Sequence, residues 1–276
     1  MLTFTLGTQQ VQAQNEQNKR PNLLLIVADD LGYSDLGSYG GEINTPVLDQ
    51  LAMLGMRYTN FSVSPTCSVT RSMLLSGTDN HVAGLGNMGE LNAPNQIGQP
   101  GYEGVLNKRV ATVASLLRDN GYHTYMVGKW HLGMKPDQIP HARGFERDFS
   151  LLVGGASHFN DGWNLEWQFP KAPYTEDGKP VKELPSDFYS TKYYTDKTIQ
   201  FIDEDRNDGK PFFAYMAFTA PHGPLHVPDD WLRRYKNRYD EGWDGIRNKR
   251  LARMIELGIV DEDVNTADRL FFLPRS

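Results

Sequence analysis

A single cysteine, Cys67, occurs in the 276 residues, so the chain has no internal disulfide framework. That excludes the small stapled scaffolds but does not fix a compartment, since cytosolic and periplasmic proteins alike can lack disulfides. No apolar run is long enough to span a membrane. No excess of cations is present either. The net charge is −6, which gives no global basic field for nucleic acid, so any anion must be met by a local cluster of cations. Internal repeats and low-complexity domains are absent. At the N-terminus "MLTFTLGTQQVQAQ" lacks the basic start of a secretory signal, yet its short apolar run is followed by Val11-Gln12-Ala13, a signal-peptidase-like site. Residues 1–20 therefore read either as the remnant of a signal peptide, implying a periplasmic or secreted protein, or as a floppy polar leader compatible with the cytoplasm. "QNEQNKR" is expected to be disordered.

What is present is ordinary core-forming material. Hydrophobic residues make up 39% and charged residues 22%, fitting one large domain or two modest ones. "PNLLLIVADD" (21–30) predicts a strand buried on both faces that ends in two aspartates. "TPVLDQLAMLGM" predicts a helix with Thr45 as N-cap and Pro46 at its first position, its Val47, Leu48, Leu51 and Leu54 on one face. "VATVASLLRDNG" (110–121) is a second amphipathic helix closed by glycine, and "YHTYMVGKWH" (122–131) a strand with a polar end. "YTDKTIQFIDED" predicts a helix, "PFFAYMAFTAPH" (211–222) a buried strand ending at His222, and "DEGWDGIRNKRLARMIELG" a surface helix. Strand–helix alternation implies an α/β fold with a mostly parallel sheet. Asp29 and Asp30, then Lys129 and His131, then His222, fall at the ends of three such strands. Ligands bind at that edge of open α/β sheets. The loop-rich segments 90–108 and 160–190 are placed to wall a cleft above it.

Two adjacent carboxylates at a strand end repel unless a cation lies between them. A hard divalent cation such as calcium or magnesium fits Asp29 and Asp30, and so does a plain turn or helix N-cap. In "TCSVTRSMLLSG" a helix would put Cys67 at its N-terminus and Arg71 one turn on, on the same face. The helix end and the guanidinium both favour an oxyanion. The thiol would be a buried small hydrophobe or a thiolate nucleophile, as in a thiolate phosphatase. Lys129 offers a point charge and His131 a proton shuttle, provided that Trp130 turns into the core. His222 sits among prolines in "APHGPLHVP".

With these residues assembled, the chain resembles the type I, formylglycine-dependent sulfatases, of the bacterial arylsulfatase kind, from about Pro21 onward. "PTCSVTRSMLLSG" is similar to the first signature of that family, a Cys and an Arg four residues later followed by two apolar residues and glycine. "GYHTYMVGKWH" is similar to its second. The resemblance implies an α/β, alkaline-phosphatase-like sandwich with a large central sheet. It implies hydrolysis of a small-molecule sulfate ester, aryl sulfate-like, to an alcohol or phenol plus sulfate, with neither nucleic acid nor membrane as partner. It implies two cofactors, calcium and a formylglycine made from Cys67 by a formylglycine-generating maturation enzyme. Carried over position by position, Asp29 and Asp30 would bind calcium, which also contacts residue 67. Arg71 would stabilise the hydrated aldehyde, Lys129 and His222 would hold the sulfate, and His131 would take a proton as sulfate leaves. A sibling activity on phosphonate monoesters or phosphodiesters is compatible with the same residues, as is an inactive anion-binding remnant.

Two departures stand out. Val69 occupies a position where the family has Pro or Ala. An Asp-Asn pair and a further Lys, which the family supplies from well past residue 222, have no counterpart up to Ser276. Residues 21–276 are therefore expected to form the N-terminal part of a sulfatase catalytic domain, lacking its C-terminal part and exposing an apolar sheet edge.

Overall fold

The computed structural model describes residues 20–166 and 168–266, and the expected leader, up to residue 19, lies outside them. The chain divides into two compact units. One comprises the described residues up to Asp30 together with Val63–His226; the other comprises Leu31–Ser62 and the residues from Val227 onward.

The first unit is built on a six-stranded sheet in the order β1-β6-β2-β3-β4-β5. Its strands are β1 (Leu23–Asp29), β2 (His123–Lys129), β3 (Arg147–Leu151), β4 (Tyr174–Glu176), β5 (Lys179–Pro180) and β6 (Phe212–Pro221). The pairs β1/β6, β6/β2 and β2/β3 are parallel, and β3/β4 and β4/β5 are antiparallel. Alternate side chains of β2 and β6 feed two separate cores. Met126, Phe213 and Tyr215 join Leu75, Ala114 and Trp130 on one face. Tyr125, Val127 and Ala214 join Phe149, Tyr194 and Phe201 on the other. Helices α2 (Cys67–Ser76) and α3 (Val113–Asp119) thus contribute to one face, and α4 (Ser190–Asp205) to the other. This is the mostly parallel, helix-flanked sheet expected from the alternation of elements.

The strand β1 departs from expectation. Its apolar run predicts burial on both faces, but β1 is the edge of the sheet, with Leu23, Leu24 and Ile26 at 37%, 53% and 45% exposure, and so forms an exposed apolar edge of the kind also expected of this sheet. A continuous apolar run looks the same in sequence whether or not a neighbour covers it. Glycine at 128 has a steric cause. Gly128 has φ +109°, and a Cβ there would meet the Ala217 carbonyl oxygen at 1.9 Å. The close approach of β2 to β6 just before Lys129 therefore requires it.

The second unit contains α1 (Pro46–Leu54), α5 (Asp229–Arg234) and α6 (Gly242–Glu256). Thr45 precedes α1 and Pro46 opens it, as the sequence predicts. The Thr45 hydroxyl does not cap the helix. It accepts from the Gly37 backbone N–H and donates to Asp49. Val47, Leu48, Leu51 and Leu54, expected to form one apolar face, remain exposed. Arg250 on α6 holds Glu42 through two hydrogen bonds of 2.6 and 2.9 Å and Asp35 through one of 2.6 Å. That fork pulls the Glu42 carboxyl down from 4.5 to about 2.

Candidate active site

Because β1, β6 and β2 are adjacent and parallel, their carboxyl ends lie side by side. The sheet thereby delivers Asp29, His222 and Lys129 to one edge. Asp29 is opposite Pro221 in the register, with an irregularity after Val27. The next residue, Asp30, turns out of the strand with φ +64° and is 65% exposed. The chain leaves β2 in a similar way, since His131 has φ +55°. Of the four described non-glycine residues with left-handed backbone, Asp30, His131, Asp177 and Asn237, two lie at this edge, a conformation that Asp and His adopt more readily than most side chains.

Two clusters form there. In the first, Asp29 accepts from Arg71 Nη2 at 3.1 Å and from Lys129 Nζ at 2.6 Å. All three side chains are essentially removed from water. Burial pushes the Asp29 carboxyl up, but the guanidinium and the ammonium outweigh it and hold the group below its ordinary range. Arg71 also donates through Nη1 to the Lys129 carbonyl oxygen at 2.9 Å and to the Tyr215 hydroxyl at 3.2 Å. Its Nε is buried without a partner. Arg71 and Lys129 bring two positive charges against one carboxylate, so this buried cluster carries one excess positive charge. Trp130 turns into the core, the condition set for Lys129 and His131 to face a cleft, and donates to the Gln138 carbonyl oxygen at 3.0 Å. Lys129, expected to face a cleft, is fully buried with its ammonium on Asp29, because a buried charge is held by its counter-ion.

The second cluster centres on residue 67. Cys67 opens α2, and its Sγ lies 3.2 Å from His131 Nδ1 and 3.7 Å from Met88 Sδ. His131 Nε2 lies 2.9 Å from Glu90 Oε1. Burial pushes the Cys67 thiol up, but the hydrogen bond to His131 and the Lys129 charge bring it below the ordinary thiol range. Burial pushes the His131 imidazole down, but Cys67 and Glu90 raise it above its usual value. The contact with His131 holds the Glu90 carboxyl low. His222 stands nearby in the fold of the sheet edge. Its Nδ1 donates to the Gly223 carbonyl oxygen at 2.7 Å, and its Nε2 is 3.7 Å from Asp30 Oδ2. Glycine makes room for both rings. A Cβ at Gly154 would meet His131 Cε1 at 2.7 Å, and one at Gly155 would meet His222 Cε1 at 3.2 Å.

All seven residues singled out from sequence therefore gather at one edge. Glu90, Tyr215 and Met88 were missed. Tyr215 reads as core in an apolar strand, and nothing in a Gly- and Asn-rich loop distinguishes Glu90. The segments expected to wall a cleft do reach the site. Glu90 comes from one, and Leu165 of the other packs against Gly155 beside His222.

Calcium takes six to eight oxygen ligands. Asp29 and Asp30 offer carboxylates, but both oxygens of Asp29 already meet cations. No group of three or more His, Cys, Asp or Glu suited to a metal occurs among the described residues. The described residues do not by themselves fit a calcium ion. They fit an oxidised residue 67 better, since Arg71, one turn along the same helix, keeps a buried Nε–H without an acceptor.

The parallel-sheet edge thus brings together a buried excess of positive charge, a helix N-terminus carrying a thiol and two imidazoles, a set of groups suited to a tetrahedral oxyanion. The family model for sulfatases matches residues 21–269, and the chain belongs to the sulfatase family. It is 47% identical over 257 residues to an uncharacterized sulfatase of Schizosaccharomyces pombe, covering 90% of this chain and 46% of that protein. It is 44% identical to the arylsulfatase of Klebsiella aerogenes, covering 91% of this chain and 53% of that protein. The chain thus spans about half the length of these curated relatives. Among solved structures, Ps i-CgsB in complex with k-i-k-neocarrahexaose superimposes with a TM-score of 0.67 at 30% identity, covering 86% of this chain and 55% of that one.

Proposed function

We propose that the chain carries the catalytic core of a sulfuric ester hydrolase acting on aryl sulfate-like esters, releasing an alcohol or phenol and sulfate. One observation carries this reading. The cluster of Asp29, Arg71 and Lys129 holds one excess buried positive charge beside residue 67, and His131 lies within hydrogen-bonding distance of that residue's side chain. Such a site binds a sulfate monoanion and offers it a nucleophile. The relatives' names support sulfate over phosphate as the anion.

Conversion of Cys67 to formylglycine by a maturation enzyme would supply a hydrated aldehyde as nucleophile. The surrounding residues have separable tasks. Arg71, clamped by Asp29, the Lys129 carbonyl and Tyr215, has a fixed guanidinium whose free Nε–H orients an oxygen on residue 67. Lys129 adds charge to the anion pocket and holds Asp29 in place. His222 has Nδ1 committed to a carbonyl, so Nε2 is the nitrogen available to the sulfate and its leaving oxygen. His131 takes the proton from the second hydroxyl, through Nδ1. Calcium, implied by the family, would use Asp29 and Asp30 but would also need oxygen donors that the described residues do not supply. Extracytoplasmic placement is likewise a proposal, resting on Val11-Gln12-Ala13 alone.

Rates on 4-nitrophenyl sulfate and bis(4-nitrophenyl) phosphate, measured side by side on protein made with a formylglycine-generating enzyme, test the reading. Preference for the sulfate supports it, and Arg71→Lys should lower that rate at least about a hundredfold. Preference for the phosphodiester would move the assignment to the sibling activity. Near-wild-type turnover by Arg71→Lys would remove the proposed role of the guanidinium.

A further inference from the structure

We propose that Glu90 is a positioning residue that holds His131 in the one neutral tautomer able to accept a proton from an oxygen on residue 67. His131 has a partner on each ring nitrogen, residue 67 on Nδ1 and Glu90 on Nε2. A carboxylate can only accept, so the 2.9 Å contact places a hydrogen on Nε2. In a neutral ring this leaves a bare lone pair on Nδ1, aimed at residue 67. Without the carboxylate the ring is free to carry its proton on Nδ1 instead. It would then donate toward residue 67 and could not accept from it. Protein triads use a carboxylate in the same way, to fix a histidine tautomer and to stabilise the imidazolium once it forms.

The fold gives Glu90 a firm base for this task. It sits on a one-turn 3-10 helix, Gly89–Leu91. Leu91 N–H closes the turn on the Met88 carbonyl at 2.9 Å, and the Asn87 amide donates to the Leu91 carbonyl at 2.8 Å. Beneath it the backbone packs on Gly104. A Cβ at Gly104 would meet Gly89 Cα at 2.7 Å, so the two segments touch through backbone. Glu90 itself is 40% exposed while His131 is only 10% exposed, so the carboxylate reaches inward from the rim to a buried ring. The proton inventory is simple. One proton passes from a hydroxyl oxygen of residue 67 to Nδ1, the imidazolium charge is matched by Glu90, and no electrons are transferred to or from an external group.

This inference rests on the hydrolase reading for its purpose but is tested apart from it. The Cys67→Ser chain places a hydroxyl at residue 67. Its ring nitrogens can be followed by long-range proton–nitrogen NMR at a pH of about 9, above the ordinary imidazole range. Removing one histidine, His131→Gln, assigns the signal among the seven histidines of the chain. The expected result is a single Nε2–H tautomer for His131. Adding Glu90→Gln should weaken that preference roughly tenfold, the scale of exchanging a charge-assisted hydrogen bond for a neutral one. Leu91→Ala, on the same turn, should leave the tautomer unchanged. An Nδ1–H tautomer in the Cys67→Ser chain, or a preference that survives Glu90→Gln, would overturn the proposal without touching the sulfatase reading. Failure of sulfate ester cleavage would refute that reading and leave the tautomer result standing.

Discussion

Replacing Asp29 by Asn tests the electrostatic centre of the site. The carboxylate lies 3.1 Å from Arg71 Nη2 and 2.6 Å from Lys129 Nζ, and its side chain is 4% exposed against 2% and 0% for its partners. An Asn amide keeps the shape but removes the charge, leaving two cations buried without a counter-ion. Removing one partner of a buried ion pair costs about 3–5 kcal/mol. For a domain of this size that corresponds to a fall in melting temperature of roughly 6–20 °C. Asp30→Asn is the control. That side chain is 65% exposed, and its replacement should change stability by less than about 0.5 kcal/mol. Urea unfolding followed by circular dichroism measures both, with the slope expected to be unchanged. If Asp29→Asn stayed within about 1 kcal/mol of the parent chain, or if Asp30→Asn cost as much, the charge cluster would not be organised as described.

Gly128→Ala should cost about 3 kcal/mol or more in the same assay. Its Cβ would lie 1.9 Å from the Ala217 carbonyl oxygen at φ +109°. Gly98→Ala, at φ +77° with nothing within 4 Å, should cost only the backbone strain of about 1 kcal/mol. Glu42→Gln should reduce the acid sensitivity of the second unit. The folded pKa is depressed from 4.5 to about 2, so the Arg250 pair contributes above pH 4.5 and is lost as pH falls toward 2. The contribution is about 1–2 kcal/mol once solvent screening is allowed for, read as the stability lost on going from neutral pH to about pH 3, which should be smaller by that amount in Glu42→Gln than in the parent chain. His123 behaves in the opposite sense. Burial lowers its pKa, but Asp208 at 2.7 Å and Glu146 at 3.0 Å outweigh that and raise it. Its contribution is complete below about pH 6.5 and is lost as pH rises through the higher folded value. His123→Gln should therefore destabilise by about 1 kcal/mol at pH 6 and much less at pH 9, compared by thermal melts at each pH.

Much of this site was legible in the sequence because parallel α/β topology ties position in a strand to position in space. Apolar runs ending in Asp29, Lys129 and Pro221 must bring those ends together once β1, β6 and β2 pair in parallel. The four-residue spacing of Cys67 and Arg71 implied a shared face if the segment were helical, and the helix runs from Cys67 to Ser76. Burial was harder to read. The apolar run of β1 looks like a central strand, yet β1 is an edge strand. Val47, Leu48, Leu51 and Leu54 have helical spacing, yet remain exposed, because periodicity reports which residues share a face and not what covers it. Long-range polar partners were not legible at all. Glu90 reaches His131 across 41 positions and Tyr215 reaches Arg71 across 144, and no local pattern encodes contacts of that kind.

The proposed hydrolysis depends on residue 67 carrying its nucleophile in oxidised form. Mass spectrometry of the tryptic peptide Tyr58–Arg71, from protein made together with a formylglycine-generating enzyme, tests it most directly. The expected peptide has lost sulfur and two hydrogens, gained one oxygen, and reacts with hydroxylamine as an aldehyde. A peptide that keeps its full thiol mass and is alkylated at Cys67 by iodoacetamide would contradict it.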